Sequence, residues 1–405
     1  MSEWKKIKLG DISSAIQTGP FGSQLHQSDY SDMGVPVVMP KDIRNGRIDE
    51  TAIARVEDHH VDRLSRHKIS EGDILYARRG DVGKCAYTIG SQKGWLCGTG
   101  CLRVTIDKEK AIPEFIFFQL QKRETIGWVE KHAIGATMLN LNTSILSDVP
   151  IELPPLPAQH RIATILSRYD SLIENYQKQI KLLEEAAQRL YKEWFVDLHF
   201  PGHENTKIVD GVPEGWEKKC IAELGSVITG KTPSTSKREN YGGSIPFITI
   251  PDMHTGIFPV SSQFLSDIGA NSQKGKFIPA DSLMVSCIGT AGLVCISSRP
   301  CQTNQQINSL VLHDKRFLYF LYYAFLMLKE HLNNIGSNGA TMTNVNKSKF
   351  ESISLLIPTG NLISSYNDKA KPYFKNIRQL SSQIRLLTEA RDRLLPKLMS
   401  GEIAV

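Results

Sequence analysis

Between two stretches of domain size, apolar residues recur at alternating steps of four and three: Ile162, Leu166, Tyr169, Ile173, Tyr176, Ile180, Leu183, Ala187, Leu190 and Trp194. A period of 3.5 predicts a helix over about 158–197 carrying a narrow apolar seam. Such a stripe is narrower than the face a helix usually turns to a globular core, so its natural partner is another helix of the same kind.

The chain supplies one. Shifting every seam position by 204 gives Tyr366, Ala370, Tyr373, Ile377, Leu380, Ile384, Leu387, Arg391, Leu394 and Leu398, the same rhythm with one charged intruder. The local text agrees, since Gln179 to Leu183 reads Gln-Ile-Lys-Leu-Leu and Gln383 to Leu387 reads Gln-Ile-Arg-Leu-Leu. Helices of roughly 30 to 40 residues would be rods of about 45 to 60 Å. Two unrelated amphipathic helices, each packed on its own domain, are the plainer alternative, but the offset extends beyond the helices.

Gly135-Ala-Thr-Met-Leu-Asn-Leu-Asn142 returns at the same offset as Gly339-Ala-Thr-Met-Thr-Asn-Val-Asn346. Trp4 with Leu9-Gly10 matches Trp216 with Leu224-Gly225, and Asp73-Ile-Leu75 matches Asp281-Ser-Leu283, at slightly different offsets that imply loops of unequal length. The halves are therefore copies. Within them, strand-like runs separated by Gly, Pro, Asn and Asp lie at 35–38, 74–77, 101–106, 245–250, 283–287 and 308–312, with apolar helices near 114–122 and 317–331. The pattern reads as an α+β chain: two tandem α/β domains, each followed by a long helix, the helices pairing. Its segments are a first domain at 1–154, a central helix at 155–198, a linker at 199–215, a second domain at 216–358 and a C-terminal helix at 359–405.

Composition changes this picture little. The chain has 405 residues, 41% hydrophobic and 22% charged, enough for sizeable cores, and its net charge of +6 favours an anionic partner only weakly. Seven cysteines without a C-x-x-C pair indicate neither a disulfide framework nor a zinc site, and fit a reducing cytoplasm. No signal peptide is read at Met1–Gly10, and the most apolar run, 317–328, is too short to span a bilayer and reads as a buried helix.

Candidate chemistry is sparse. Gly225-Ser-Val-Ile-Thr-Gly-Lys231-Thr232 satisfies the pattern of a phosphate-binding loop, which would make a nucleotide hydrolase the alternative of another class. Pro233 and a polar stretch follow where a helix is needed, and the first copy has no Lys-Thr at the matching place. Asp210 with Glu217-Lys-Lys219 nominally matches a metal-nuclease pattern in or beside the polar linker, and Leu153-Pro-Pro-Leu156 lacks the acidic or amide residue that an amino-methyltransferase loop needs. No catalytic or metal site is assigned. What remains are loops rich in basic, hydroxyl and amide groups. In the first copy these are Lys41, Arg44, Arg47, Arg78, Arg79 and Lys84 with Thr137, Asn140 and Asn142. In the second they are Lys231, Thr232, Ser234, Lys237 and Arg238 with Thr341, Asn344 and Asn346. Lys and Arg neutralise phosphates, Arg pairs with guanine and Asn with adenine, so both sets are candidates for DNA contact.

Three further stretches carry a resemblance: Gly34-Val-Pro-Val37 with Lys41-Asp-Ile43; Gly230-Lys-Thr-Pro233 with Gly242-Gly-Ser-Ile-Pro-Phe-Ile248; and Pro155-Leu-Pro-Ala-Gln-His-Arg-Ile162 leading into the first long helix. With the order domain, helix, domain, helix, the chain resembles a specificity subunit of a type I restriction-modification enzyme over essentially its whole length. The Gly-Lys-Thr is then that family's Gly-x-Thr-Pro turn.

The resemblance implies two target-recognition domains, each reading half of a bipartite double-stranded DNA target, and two helices pairing as an antiparallel coiled coil that sets the half-site spacing. It implies docking of two DNA adenine methyltransferase subunits and of restriction subunits, in the cytoplasm and away from any membrane. This chain would be non-catalytic and bind no cofactor, S-adenosylmethionine and ATP with magnesium belonging to its partners. A complex that only methylates, or another phage-defence complex, is a variant of the same reading. Two departures carry expectations: Pro358-Thr-Gly-Asn361 replaces the Pro-Leu-Pro-Ala-Gln segment, so the second helix is expected to start differently, capped by Asn361; and Arg391 and Pro396 imply that its last turns face something other than the first helix.

Overall fold

The computed structural model describes residues 4–403 and 405, apart from 136–138 and 338–342. The chain divides into two compact units, one formed by Met1–Leu172 with Leu387–Val405 and the other by Ile173–Leu386. Both boundaries fall inside long helices, so each unit holds one domain and part of each helix.

In the first unit an antiparallel sheet runs in the order Ser13–Thr18, Cys101–Ile106, Ile74–Ala77, Cys85–Tyr87. Ile74–Ala77 is buried on both faces, which is why it reads as an unbroken apolar run, whereas its neighbour Cys101–Ile106 alternates. A second sheet sets Leu96–Cys97 parallel to Val35–Val38, which pairs antiparallel with Ala54–Val56. Lys5–Lys8 pairs with Pro150–Leu153 and ties the start of the domain to its end. Pro113–Leu120 is the predicted apolar helix, and its Phe115, Ile116 and Phe118 lie in the core with Leu9, Leu102 and Leu146.

The second unit repeats this wiring. Its sheet runs Gly225–Thr229, Ile307–Leu312, Leu283–Ser286, Val294–Ile296, again with a parallel pair beside it, Tyr241–Ile248 with Gln302–Thr303, and a closing pair, Glu217–Cys220 with Ser354–Ile357. The apolar run of the second copy forms Leu318–Met327, largely buried as expected although Leu326 and Met327 are exposed, followed by Lys329–Ser337.

The long helices span Leu156–Tyr191, continued by a π turn at Lys192–Val196, and Gly360–Met399. Every seam position is buried or half-buried, including Ile173, Tyr176, Ile180, Leu183, Leu190, Ile377, Leu380, Ile384, Leu387 and Leu394. In the second unit Ala187, Tyr191 and Trp194 share a core with Tyr366, Ala370, Phe374 and Ile377, and in the first unit Ile162 and Leu166 share one with Leu398 and Met399. Low numbers on one helix thus meet high numbers on the other, as an antiparallel pair requires.

Two expectations at the second helix need correction. Asn361 lies inside the helix, which begins at Gly360, so it is not the cap. Arg391 faces the first helix after all: its Nη1 is 2.6 Å from Asp170 Oδ1. Burial opposes its charge, but hydrogen bonds to Asp170 and Asp392 hold its pKa above the usual arginine value. Beyond it, Leu398 and Met399 join the domain core, still together with Ile162 and Leu166 of the first helix. The Pro-Leu-Pro-Ala-Gln motif acquires a reason. Gln159 is buried, its Oε1 accepting from Ile112 N at 2.9 Å and its Nε2 donating to Pro154 O at 2.7 Å, so it fixes the start of the helix to the domain.

Candidate nucleic-acid interface

At one end of the first unit's sheet, four segments distant in sequence meet. Gly19 N donates to Cys101 O, Arg78 N to Gly100 O at 2.7 Å, Leu141 N to Arg78 O at 2.8 Å, and Gly80 N to Leu139 O at 3.3 Å, while Arg79 and Asn140 pair as an isolated bridge. A Cβ at Gly19 would collide with Gly98 O, so only glycine allows this approach.

The second unit builds the same frame from equivalent residues. Gly230 N donates to Ile307 O, Cys287 N to Gln306 O, Val345 N to Cys287 O and Gly289 N to Thr343 O, with Ile288 bridged to Asn344. A Cβ at Gly230 would strike Asn304 O. Arg78, Arg79 and Gly80 therefore correspond to Cys287, Ile288 and Gly289. The backbone scaffold is shared and the side chains on it are not.

The frame also settles the Gly-Lys-Thr segment. The amides of Gly230 and Lys231 donate to Ile307 O and Thr303 O, so they are unavailable to a phosphate. Gly225–Thr229 is a strand, and the segment after Lys231 is stapled by Gln273 to Lys231 O at 2.7 Å, Thr232 Oγ1 to Gln305 Oε1 at 2.5 Å, Tyr241 OH to Pro233 O at 2.8 Å and Asn240 to Ser234 O at 2.9 Å. Lys231, Ser234, Lys237 and Arg238 remain exposed along this loop.

The first unit's candidates separate into two groups. Arg78, Arg79, Lys84 and Asn140 gather at the frame, with Lys84 paired to Asp81 at 2.9 Å. Lys41 follows Pro40, which lies beside Gly100. Arg44 and Arg47 flank a tight hairpin turn in which Asn45 and Gly46 both have positive φ. Gly46 O accepts from Tyr87 N, and Tyr87 pairs with Ile74, so this hairpin sits at the opposite end of the sheet from Arg78. Arg44 is held by Asp49 at 3.0 Å. Burial raises the Glu114 carboxyl, and nearby Arg47 partly offsets this.

Asn142 and Asn346 have another duty. Each is the N-cap of a short helix, Asn142 Oδ1 accepting from Ile145 N at 2.8 Å and Asn346 Oδ1 from Lys349 N at 2.9 Å. Thr137 and Thr341 lie outside the described residues. Sequence reasoning passed over Phe21, half exposed beneath Arg78, and the polar run Asn304-Gln305-Gln306, which occupies the second frame; only the clustering of amides between two strands signalled the latter.

Burial pushes the thiols of Cys85, Cys97, Cys287, Cys295 and Cys301 up to about 12, far from the range of a nucleophilic thiolate. His199 and His203 have ligand spacing with ring centroids 5.5 Å apart, but among the described residues no group of three potential ligands forms. Among those residues, too, no helix is long and apolar enough to cross a membrane.

Residues 1–185 and 213–361 match the family described as type I restriction modification DNA specificity domain. The chain is 30% identical to the type I restriction enzyme HindI specificity subunit of Haemophilus influenzae, with all of both chains covered. It is 27% identical to the MjaIX specificity subunit of Methanocaldococcus jannaschii, covering all of this chain and 94% of that one. Among solved structures, the S subunit of a type I restriction-modification system from M. genitalium covers 98% of this chain and 96% of its own at 17% identity and a TM-score of 0.64, a likeness of fold.

Proposed function

The chain belongs to the type I restriction-modification DNA specificity family, with two tandem recognition domains, and from that premise we propose that each unit reads one half of a bipartite double-stranded DNA target. The observation that carries this reading is the loop frame built twice on the same backbone bonds with different side chains. A conserved scaffold with exchanged side chains suits two readers of one groove geometry that recognise different bases. The seam between the helices supplies a ruler, because helix length converts into half-site separation as dimer geometry does in other DNA readers.

In this reading the chain performs no chemistry. Two DNA adenine methyltransferase subunits with S-adenosylmethionine, and restriction subunits with ATP and magnesium, act on the DNA that it selects. Lys41, Arg79, Lys84, Lys231, Lys237 and Arg238 serve phosphates. Leu182 and Leu386, equivalent residues that are 65% and 53% exposed beside the seam, offer an apolar surface to the methyltransferase. The test is selection of duplexes from a random pool by this chain co-purified with its methyltransferase subunit. Two short sequences separated by a fixed unread gap are expected; a single sequence or none would overturn the bipartite reading.

A further inference from the structure

Among the described residues, Arg78 is a candidate base reader whose side chain is confined and makes no hydrogen bond. Its peptide is pinned on both sides, by Gly100 and by Leu141. Its guanidinium carbon lies 5.8 Å from the Phe21 ring centroid, within cation–π range. Its Nε is buried without a partner, as is Oδ1 of Asn140 in the same frame. No ion pair engages the Arg78 side chain among the described residues. Buried polar groups are nearly always satisfied, so a donor and an acceptor left open in one frame point to a ligand that completes them.

Resting on the DNA-reading function above, we propose that Arg78 reads a guanine in the first half-site, while Arg79 beside it holds phosphate. A guanidinium only donates. Of the four bases, guanine alone presents two adjacent acceptors, N7 and O6, in the major groove; adenine and cytosine present an amino donor where the second acceptor would be needed. A fork already oriented by its backbone and by Phe21 loses little freedom on binding, which favours readout over a loose phosphate contact. Arg79 is exposed and makes no ion pair among the described residues, which leaves its charge available to a phosphate. The second unit places buried Cys287 and half-buried Ile288 at the matching positions, so its half-site is read by other groups, of which Gln305 and Gln306 stand on the frame.

The experiment compares the wild-type chain, Arg78→Ala, Arg78→Lys and Arg79→Ala, each co-purified with the methyltransferase subunit, in selection from a random duplex pool and in binding to the selected site. Wild type is expected to require guanine at one position of one half-site. Arg78→Ala should lose about 10- to 100-fold in affinity for that site, with the preference relaxed at that position alone. Arg78→Lys should retain part of it. Arg79→Ala should weaken every sequence alike and lower the salt dependence. A wild-type target without guanine in one half-site, or a guanine preference that survives Arg78→Ala, overturns the assignment while leaving bipartite recognition intact. Failure of the wild type to enrich any sequence overturns the recognition reading itself, and this assignment with it.

Discussion

Arg391, at a position where the seam rhythm calls for an apolar residue, forms an ion pair with Asp170 of the other long helix, with Nη1 2.6 Å from Oδ1. Moved by the internal repeat, Asp170 corresponds to Phe374 and Arg391 to Ala187, both fully buried in the core of the second unit. Equivalent positions on the two helices therefore hold a charged pair in one unit and, in the other, an aromatic and a small residue that share one core.

Removing one charge leaves the other short of a partner in a mostly buried site. Asp170→Ala is expected to cost about 1 to 3 kcal/mol in urea unfolding, less than a fully buried pair because Asp392 still serves Arg391. The double change Asp170→Phe with Arg391→Ala should recover most of that loss by importing the other unit's packing. A double variant no more stable than Asp170→Ala would show that the two crossings are not equivalent.

Gln159 predicts a second effect. Gln159→Leu keeps the volume but leaves the part-buried amide of Ile112 and the carbonyl of Pro154 without their bonds, a loss of about 2 to 4 kcal/mol for two open polar groups. Unfolding monitored by Trp fluorescence reads this directly. A change below about 0.5 kcal/mol would mean that the motif does not fix the helix start.

For the two cap residues, stability and recognition should part company. Asn142→Ala and Asn346→Ala are each expected to cost about 1 kcal/mol, with Asn→Asp largely neutral, and to leave the selected DNA sequence unchanged. A shift in base preference after either change would return these side chains to the DNA interface.

Those asparagines mark where sequence reasoning reaches its limit. The seam was legible because a 3.5-residue period survives any ignorance of the loops, and Ile74–Ala77 and Cys101–Ile106 were legible because burial writes itself into residue type. The gathering of Arg78, Gly100 and Leu141 was not, since it depends on sheet order across more than 60 positions of chain. Asn142 looked like a reading amide because capping and base pairing draw on the same side chain, and the repeat preserves either duty equally well. Gly-Lys-Thr matched a phosphate loop in letters, but its amides face the sheet.

Leu182 and Leu183 give the sharpest contrast, being adjacent on the central helix. Leu183 packs against the second unit's core, whereas Leu182 is 65% exposed. Leu183→Asp places a carboxylate in the seam and should destabilise the chain by about 2 to 4 kcal/mol, and Leu387→Asp should act likewise in the first unit. Leu182→Asp and Leu386→Asp should leave unfolding within about 0.5 kcal/mol of wild type yet weaken capture of the methyltransferase subunit, because the only surface they change is solvent-facing. Both quantities come from one set of proteins, by urea titration and by co-purification against tagged methyltransferase. If the exposed variants hold the partner as well as wild type does, docking lies elsewhere; if Leu183→Asp and Leu387→Asp melt like wild type, the helices are not held by their seam.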